Sequence, residues 1–145
     1  MQRNATMCAA FAATCLLSGA AAAAPTEIKG AAILDHPCGK ASVKQMGLVH
    51  AGNMAEANKL TTAEMQSQWK AMPDKDRAMM TGMMKDMSQT EAAYSADIKS
   101  NGVLAVDGSN ATLTVKKTTK DANGTSTSTQ TQNFKIDGSQ CLISR

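Results

Sequence analysis

Five methionines fall within nine residues of this chain, at Met79, Met80, Met83, Met84 and Met87. Thioethers are soft ligands, and soft ligands select Cu(I) over harder ions. On a helix turning by about 100° per residue, all five occupy an arc of about 140°. Met79, Met83 and Met87 stand one turn apart on it and form the thioether set of an alternative metal site. The same arc suits the apolar face of an amphipathic helix, because flexible methionine fills irregular core space. Beyond residue 23 the chain has three aromatics, Trp69, Tyr94 and Phe134. Methionine is therefore expected to take up core volume, and no metal or cofactor is expected.

Acid–base chemistry rests on two histidines, His36 and His50. By helical steps His50 shares a face with Val43 and Met46, so an inward position is expected. No Asp or Glu stands at a spacing that would make it a dyad, so a structural histidine is the expectation. Asp35 and His36 precede Pro37 in a loop and read as a solvated pair. No Gly-x-Ser-x-Gly nucleophile motif occurs. Catalysis is not expected. The binding candidates are His50, Trp69, Met80, Met83, Met84 and Met87, since plastic methionine surfaces accept apolar ligands or partner side chains.

These residues need elements to hold them. The segment from about Pro37 to Gln89 is rich in Ala, Met, Lys, Glu and Gln, which favour helix. Punctuation divides it into four helices. The first runs from about Gly39 to His50 and stops at Gly52, a left-handed cap. Asn53, with Glu56 three residues on, caps a second that reaches Leu60. Thr61 and Glu64 repeat the device for a third, ending near Met72. Pro73 opens a fourth that continues to Gln89, with Asp74 and Asp76 at its positive end.

From Tyr94 onward Thr, Val, Ser and Gly alternate with period two. Strands are expected at Tyr94–Ile98, Val103–Val106, Ala111–Thr119, Thr125–Ile136 and Gln140–Ile143, separated by Asn-Gly and Asp-Gly turns. Helices first and strands afterwards predict an α+β domain, three to four helices on an antiparallel sheet of four to five strands. Thr125 to Gln132 carries no large apolar residue and is expected to be solvated.

The N-terminus reads as an export signal. Arg3 supplies the positive region, Met7 to Leu17 the apolar run, and Ser18 to Ala24 the small residues before a cut between Ala23 and Ala24. The run is shorter than the roughly 20 residues that span a bilayer. Ala12 stands where a lipid-anchor signal needs a branched apolar residue, so no anchor at Cys15 is expected. The divisions are then a signal peptide at 1–23, a lead-in at 24–36 and one domain at 37–145. Cys8 and Cys15 leave with the signal, and Cys38 and Cys141 remain as an even pair in a periplasmic or secreted chain. One disulfide between them is expected. The overall charge is only +3. Lys116 and Lys117 lack stacking aromatics, so nucleic acid is not an expected partner.

The segments "MGLVHAGNMAEANKL" (46–60) and "NATLTVKKTTKDANGTSTSTQTQNFKIDGSQCLIS" (110–144) describe a helix, a Gly-Asn break, a helix, then long strands and a short last one. This order resembles the nuclear-transport-factor-2-like superfamily, and most of all its small exported bacterial members. The resemblance implies a helix-plus-curved-sheet cone over roughly residues 37–144. Many members carry an aromatic after the final Asp-Gly turn, where this chain has Gln140-Cys141. Members include enzymes, ligand binders and protein-binding subunits, so the fold does not choose among them. The expected function is non-catalytic, holding a protein partner or an apolar ligand, with immunity-type neutralisation of a toxin as one form. A Cu(I)-binding envelope protein and a cone-superfamily enzyme using His50 are the alternatives.

Overall fold

The computed structural model describes residues 24–121 and 124–145. The expected signal peptide at 1–23 and the turn residues Ala122 and Asn123 lie outside the described residues. Within them the chain is α+β, with six helices and one five-stranded sheet. The order is β1 (Thr26–Lys29), α1 (Ala32–Asp35), α2 (Pro37–His50), α3 (Met54–Asn58), α4 (Ala63–Ala71), α5 (Asp74–Met87) and α6 (Glu91–Asn101). Then come β2 (Gly102–Asp107), β3 (Asn110–Asp121), β4 (Gly124–Asp137) and β5 (Gln140–Ser144).

Local chemistry explains most of the boundaries. Pro37 sits in the first turn of α2, and His36 Nδ1 accepts the Cys38 N–H at 3.2 Å. Gly52 has φ +76°, the left-handed conformation that ends α2 at low cost. Asn53 caps α3 by accepting the Glu56 N–H at 3.3 Å. The expected cap at Thr61 is not formed. Its hydroxyl turns back to the Asn58 carbonyl at 2.7 Å, and α4 starts one residue later, after Thr62.

Two segments depart from the sequence reading. The lead-in holds a strand: β1 pairs with β2 in the register Thr26↔Val106 to Lys29↔Val103, and α1 follows it. The strand expected at Tyr94–Ile98 is the middle of α6. Tyr94 and Ile98 are spaced both for alternate positions of a strand and for one face of a helix. Thr90 decides for helix, because its hydroxyl accepts the Ala93 N–H at 3.2 Å and Ala92, Ala93 and Ala96 favour the helical state.

All four strand pairings are antiparallel and join neighbours in sequence. One face of the sheet carries Leu104, Ala111, Leu113, Val115, Phe134, Cys141 and Ile143, all buried. Against it lie Ile33 of α1, Cys38 of α2, and Tyr94 and Ile98 of α6. The outer edge of β5 is not left open. Thr62 N–H donates to the Ile143 carbonyl at 2.9 Å, and Ile143 N–H donates to Leu60 at 2.9 Å.

α6 covers β2 and β3, and α5 packs mainly on α2, coming near the sheet where Met84 and Met87 line a recess with Gln130 and Gln132. The expectation that the methionine arc is core is therefore corrected. Met79 is 61% exposed, Met83 56%, Met87 82% and Met80 36%, and neither α4 nor α5 buries a residue fully.

Cys38 and Cys141 stand at disulfide-bonding distance, with Cα atoms 4.9 Å apart. A bond between them closes 103 positions of chain, from the first turn of α2 to β5, and is expected in an oxidising setting. A loop of that length restricts the unfolded chain by about 4.7 kcal/mol in the entropy model. Cys38→Ala/Cys141→Ala is expected to lower the urea-unfolding free energy by about 3–5 kcal/mol. An unfolding midpoint unchanged by the double substitution or by reductant would contradict the bond.

Candidate functional site

The inward row of β4 changes character along the strand. Phe134 is buried in the core, and the next inward positions toward the turn are Gln132 and Gln130, opposite Leu113 and Val115 of β3. Side chains alternate in a strand, so both amides face the helical layer. Gln132 meets α2 there. Its Nε2 donates to Gln45 Oε1 at 2.7 Å, and its Oε1 accepts from the Ser42 hydroxyl.

Ser42 also lies 3.2 Å from the phenolic oxygen of Tyr94 on α6. A hydroxyl has one proton. With that proton on Gln132, the Tyr94 O–H donates to Ser42, giving a directed chain from Tyr94 through Ser42 and Gln132 to Gln45. Ser42 and Tyr94 are both essentially without solvent contact. Burial raises the Tyr94 phenol above its ordinary pKa and the Asp97 charge adds to this. The phenol stays neutral and serves as a hydrogen-bond donor.

Gln45 divides two apolar recesses. On one side a groove of about 150 Å³ lies among α2, α3, α4 and α5, with Met54, Met65, Trp69, Met72, Met80 and Met84 on its walls and Arg145 at its edge. On the other side a cavity of about 240 Å³ lies between α2, α5 and β4, where Met46, Met84 and Met87 meet Gln130 and Gln132. Met84 lies in both. The sequence singled out Trp69, Met80, Met84 and Met87 on composition, and the structure places them on these walls. The participation of Met46, Met54, Met65 and Met72 was missed, because they sit on three other helices and their convergence is tertiary.

The remaining candidates stand elsewhere. Met83 is on the outer face of α5 and lines neither recess. His50, expected inward, is exposed at the C-terminus of α2 with Nδ1 3.4 Å from Ser88 Oγ. His36 is committed to the α2 cap. Among the described residues no group of three His, Cys, Asp or Glu side chains converges as metal ligands. No described helix is long and apolar enough to cross a membrane.

Two outcomes follow from this geometry. Ser42→Ala removes the partner of a buried phenol and of the Gln132 carbonyl, and is expected to cost about 1–3 kcal/mol in urea unfolding. Adding Tyr94→Phe removes the stranded donor, so the double variant should lose less than the two single losses added; strict additivity would refute the relay. At His36, burial lowers the imidazole pKa below its ordinary value, and only the unprotonated Nδ1 can accept the Cys38 N–H. The unfolded chain therefore binds this proton more readily. The stabilisation is complete above about pH 6.5 and is lost as pH falls through the lower folded value. In a pH series of thermal midpoints, His36→Asn, which caps without titrating, should flatten that acid limb; an identical limb would show that His36 does not produce it.

Comparison of the chain with protein-family models, with curated protein sequences and with solved structures finds no match, so the functional reading rests on these two recesses and the relay between them.

Proposed function

We propose that this protein is an exported, non-catalytic binding module whose α3–α4–α5 groove receives an apolar side chain of a protein partner. The supporting observation is a recess walled by the sole tryptophan and several methionines, on two helices that bury nothing fully. Exposed apolar side chains concentrated on one helix pair mark an interaction surface more often than chance display. The volume selects the kind of occupant. Sites for drug-sized small molecules run to about 300–1,000 Å³. A recess of about 150 Å³ matches one large aliphatic or aromatic side chain and is too small for a lipid tail.

Adaptable methionines suit such a seat, because unbranched thioethers change rotamer to fit an incoming shape. Trp69 supplies the large, low-entropy contact that dominates binding energy in many interfaces. Arg145 at the edge adds a positive charge that favours an acidic residue beside the anchoring side chain. The disulfide-spaced cysteines are compatible with a periplasmic or secreted setting. Kinship with the nuclear-transport-factor-2-like superfamily belongs to the same proposal, supported by helices that largely precede an antiparallel meander. The strand β1 ahead of those helices is a departure from the expected order.

Selection of displayed random peptides against the oxidised protein tests this. Enriched peptides should share one Leu, Phe, Met or Trp beside an acidic residue, and their binding should shift Trp69 emission. Trp69→Ala should weaken them by at least tenfold, about 1.4 kcal/mol. Peptides that bind the Ala variant undiminished, or stoichiometric uptake of a fatty acid in place of any peptide, would overturn the reading.

A further inference from the structure

The second recess, between α2, α5 and β4, offers different chemistry from the groove. Three methionines on two helices line one cavity of about 240 Å³: Met46 from α2, and Met84 and Met87 from α5. Met46 and Met87 also share the adjoining recess beside Asp97. The Met46 sulfur is held in place by the Gln89 N–H, which donates to it at 3.5 Å and leaves its second lone pair for another partner.

An imidazole adjoins the cavity wall through Ser88. His50 lies one helical turn beyond Met46, and its neighbour Val49 and its partner Ser88 both line the cavity. The Ser88 hydroxyl donates its one proton to the Lys85 carbonyl at 2.7 Å. It can therefore only accept from His50, so Nδ1 carries the proton and the neutral ring keeps its lone pair on Nε2. A hydrogen bond that fixes the tautomer in this way is the usual support of a metal-ligating histidine.

We propose that Met46, Met84 and Met87, with His50 Nε2 as a fourth donor, form a site for a soft monovalent cation, Cu(I) in particular. Thioethers bind Cu(I) in preference to hard ions, and the cavity presents three of them without a carboxylate among its walls. The stripe suggested by sequence, Met79, Met83 and Met87, is poorly placed for the same task. At about 1.5 Å per residue its outer members lie about 12 Å apart along one axis, and neither Met79 nor Met83 lines the cavity. Met84 and Met87 are about 4.5 Å apart along the axis, with Met46 facing them from the neighbouring helix. Binding here involves no electron transfer. The site adjoins the peptide groove, which shares Gln45 and Met84 with this cavity but none of its other proposed donors.

The test is anaerobic competition between the oxidised full-length domain and a coloured Cu(I) chelator, with the cysteines confirmed as disulfide so that no thiolate competes. The protein should withdraw one Cu(I) per chain. Met46→Leu, Met84→Leu, Met87→Leu and His50→Ala should each weaken binding at least about tenfold, whereas Met79→Leu, Met83→Leu and Trp69→Ala should leave it unchanged. Leucine conserves volume, so unchanged thermal midpoints will separate ligand loss from unfolding. Methionine-methyl NMR with Ag(I), a redox-inert surrogate, should shift residues 46, 84 and 87 and spare 79 and 83. Copper left wholly with the chelator, or equal losses in Met79→Leu and Met83→Leu, would overturn the assignment.

Discussion

The close approach of Cys38 and Cys141 marks where the long helix α2 meets the sheet, and the other layers are arranged around that helix. Cys38 lies in its first turn and Cys141 in the last strand, with both sulfurs in the buried core. From this anchor α2 runs past β5, β4 and β3 and touches α1, α3, α5 and α6. Ser42 stands one turn on from Cys38 and faces the same layer, which is why it meets Gln132 and Tyr94. Close approach is built in on the other side as well. A Cβ at Gly39 would collide with the Ile33 carbonyl, so glycine lets α1 lie directly against α2.

The core made in this way is small, and the polar groups within it are matched. Ile33, Ile98, Leu104, Leu113 and Phe134 are buried with Tyr94, whose hydroxyl is carried into the interior and met by Ser42. Among the described residues no buried side-chain nitrogen or oxygen lacks a partner. Stranding one such group costs more than a typical hydrogen bond contributes, which makes the relay a constraint on the seating of α2, α6 and β4 together.

Filling the sheet face with α6 has a consequence for α4 and α5. They are helical because their residues favour helix and because Asp74 and Asp76 suit the positive end of α5. With most of the sheet already covered, their apolar side chains lie mainly against α2, α3 and one another, with Met84 and Met87 reaching the rim of β4. The methionines of α5 stay partly or largely exposed. Flexible thioethers tolerate that position at low cost in shape, and the same softness supports both proposed roles. The groove uses their shape and the second cavity their sulfur lone pairs. Gln45, held by Gln132, keeps the two recesses apart.

Much of the fold was legible in the chain. Gly52, Asn53 and Pro73 mark real boundaries, and Asp107-Gly108 and Asp137-Gly138 close real turns, because positive-φ glycines and capping side chains act over three or four residues. The cysteine pair was legible from its even count. Tyr94 and Ile98 were ambiguous because a spacing of four fits both a strand face and a helix face, and the deciding Thr90 cap lacks the Glu that would complete a box. Periodicity located the methionine arc correctly but could not say what it faces. Whether an apolar stripe is core or surface depends on which helix reaches the sheet first, and that is settled by packing between residues far apart in the chain. The convergence of Met46 with Met84 and Met87, and of Gln132 with Ser42, is decided in the same way. The sequence by itself determined most of the elements and singled out the cysteine pair, whose causes are local or compositional. Only the tertiary structure decided that the lead-in joins the sheet, that Tyr94 and Ile98 face it from a helix, and which side chains share a cavity.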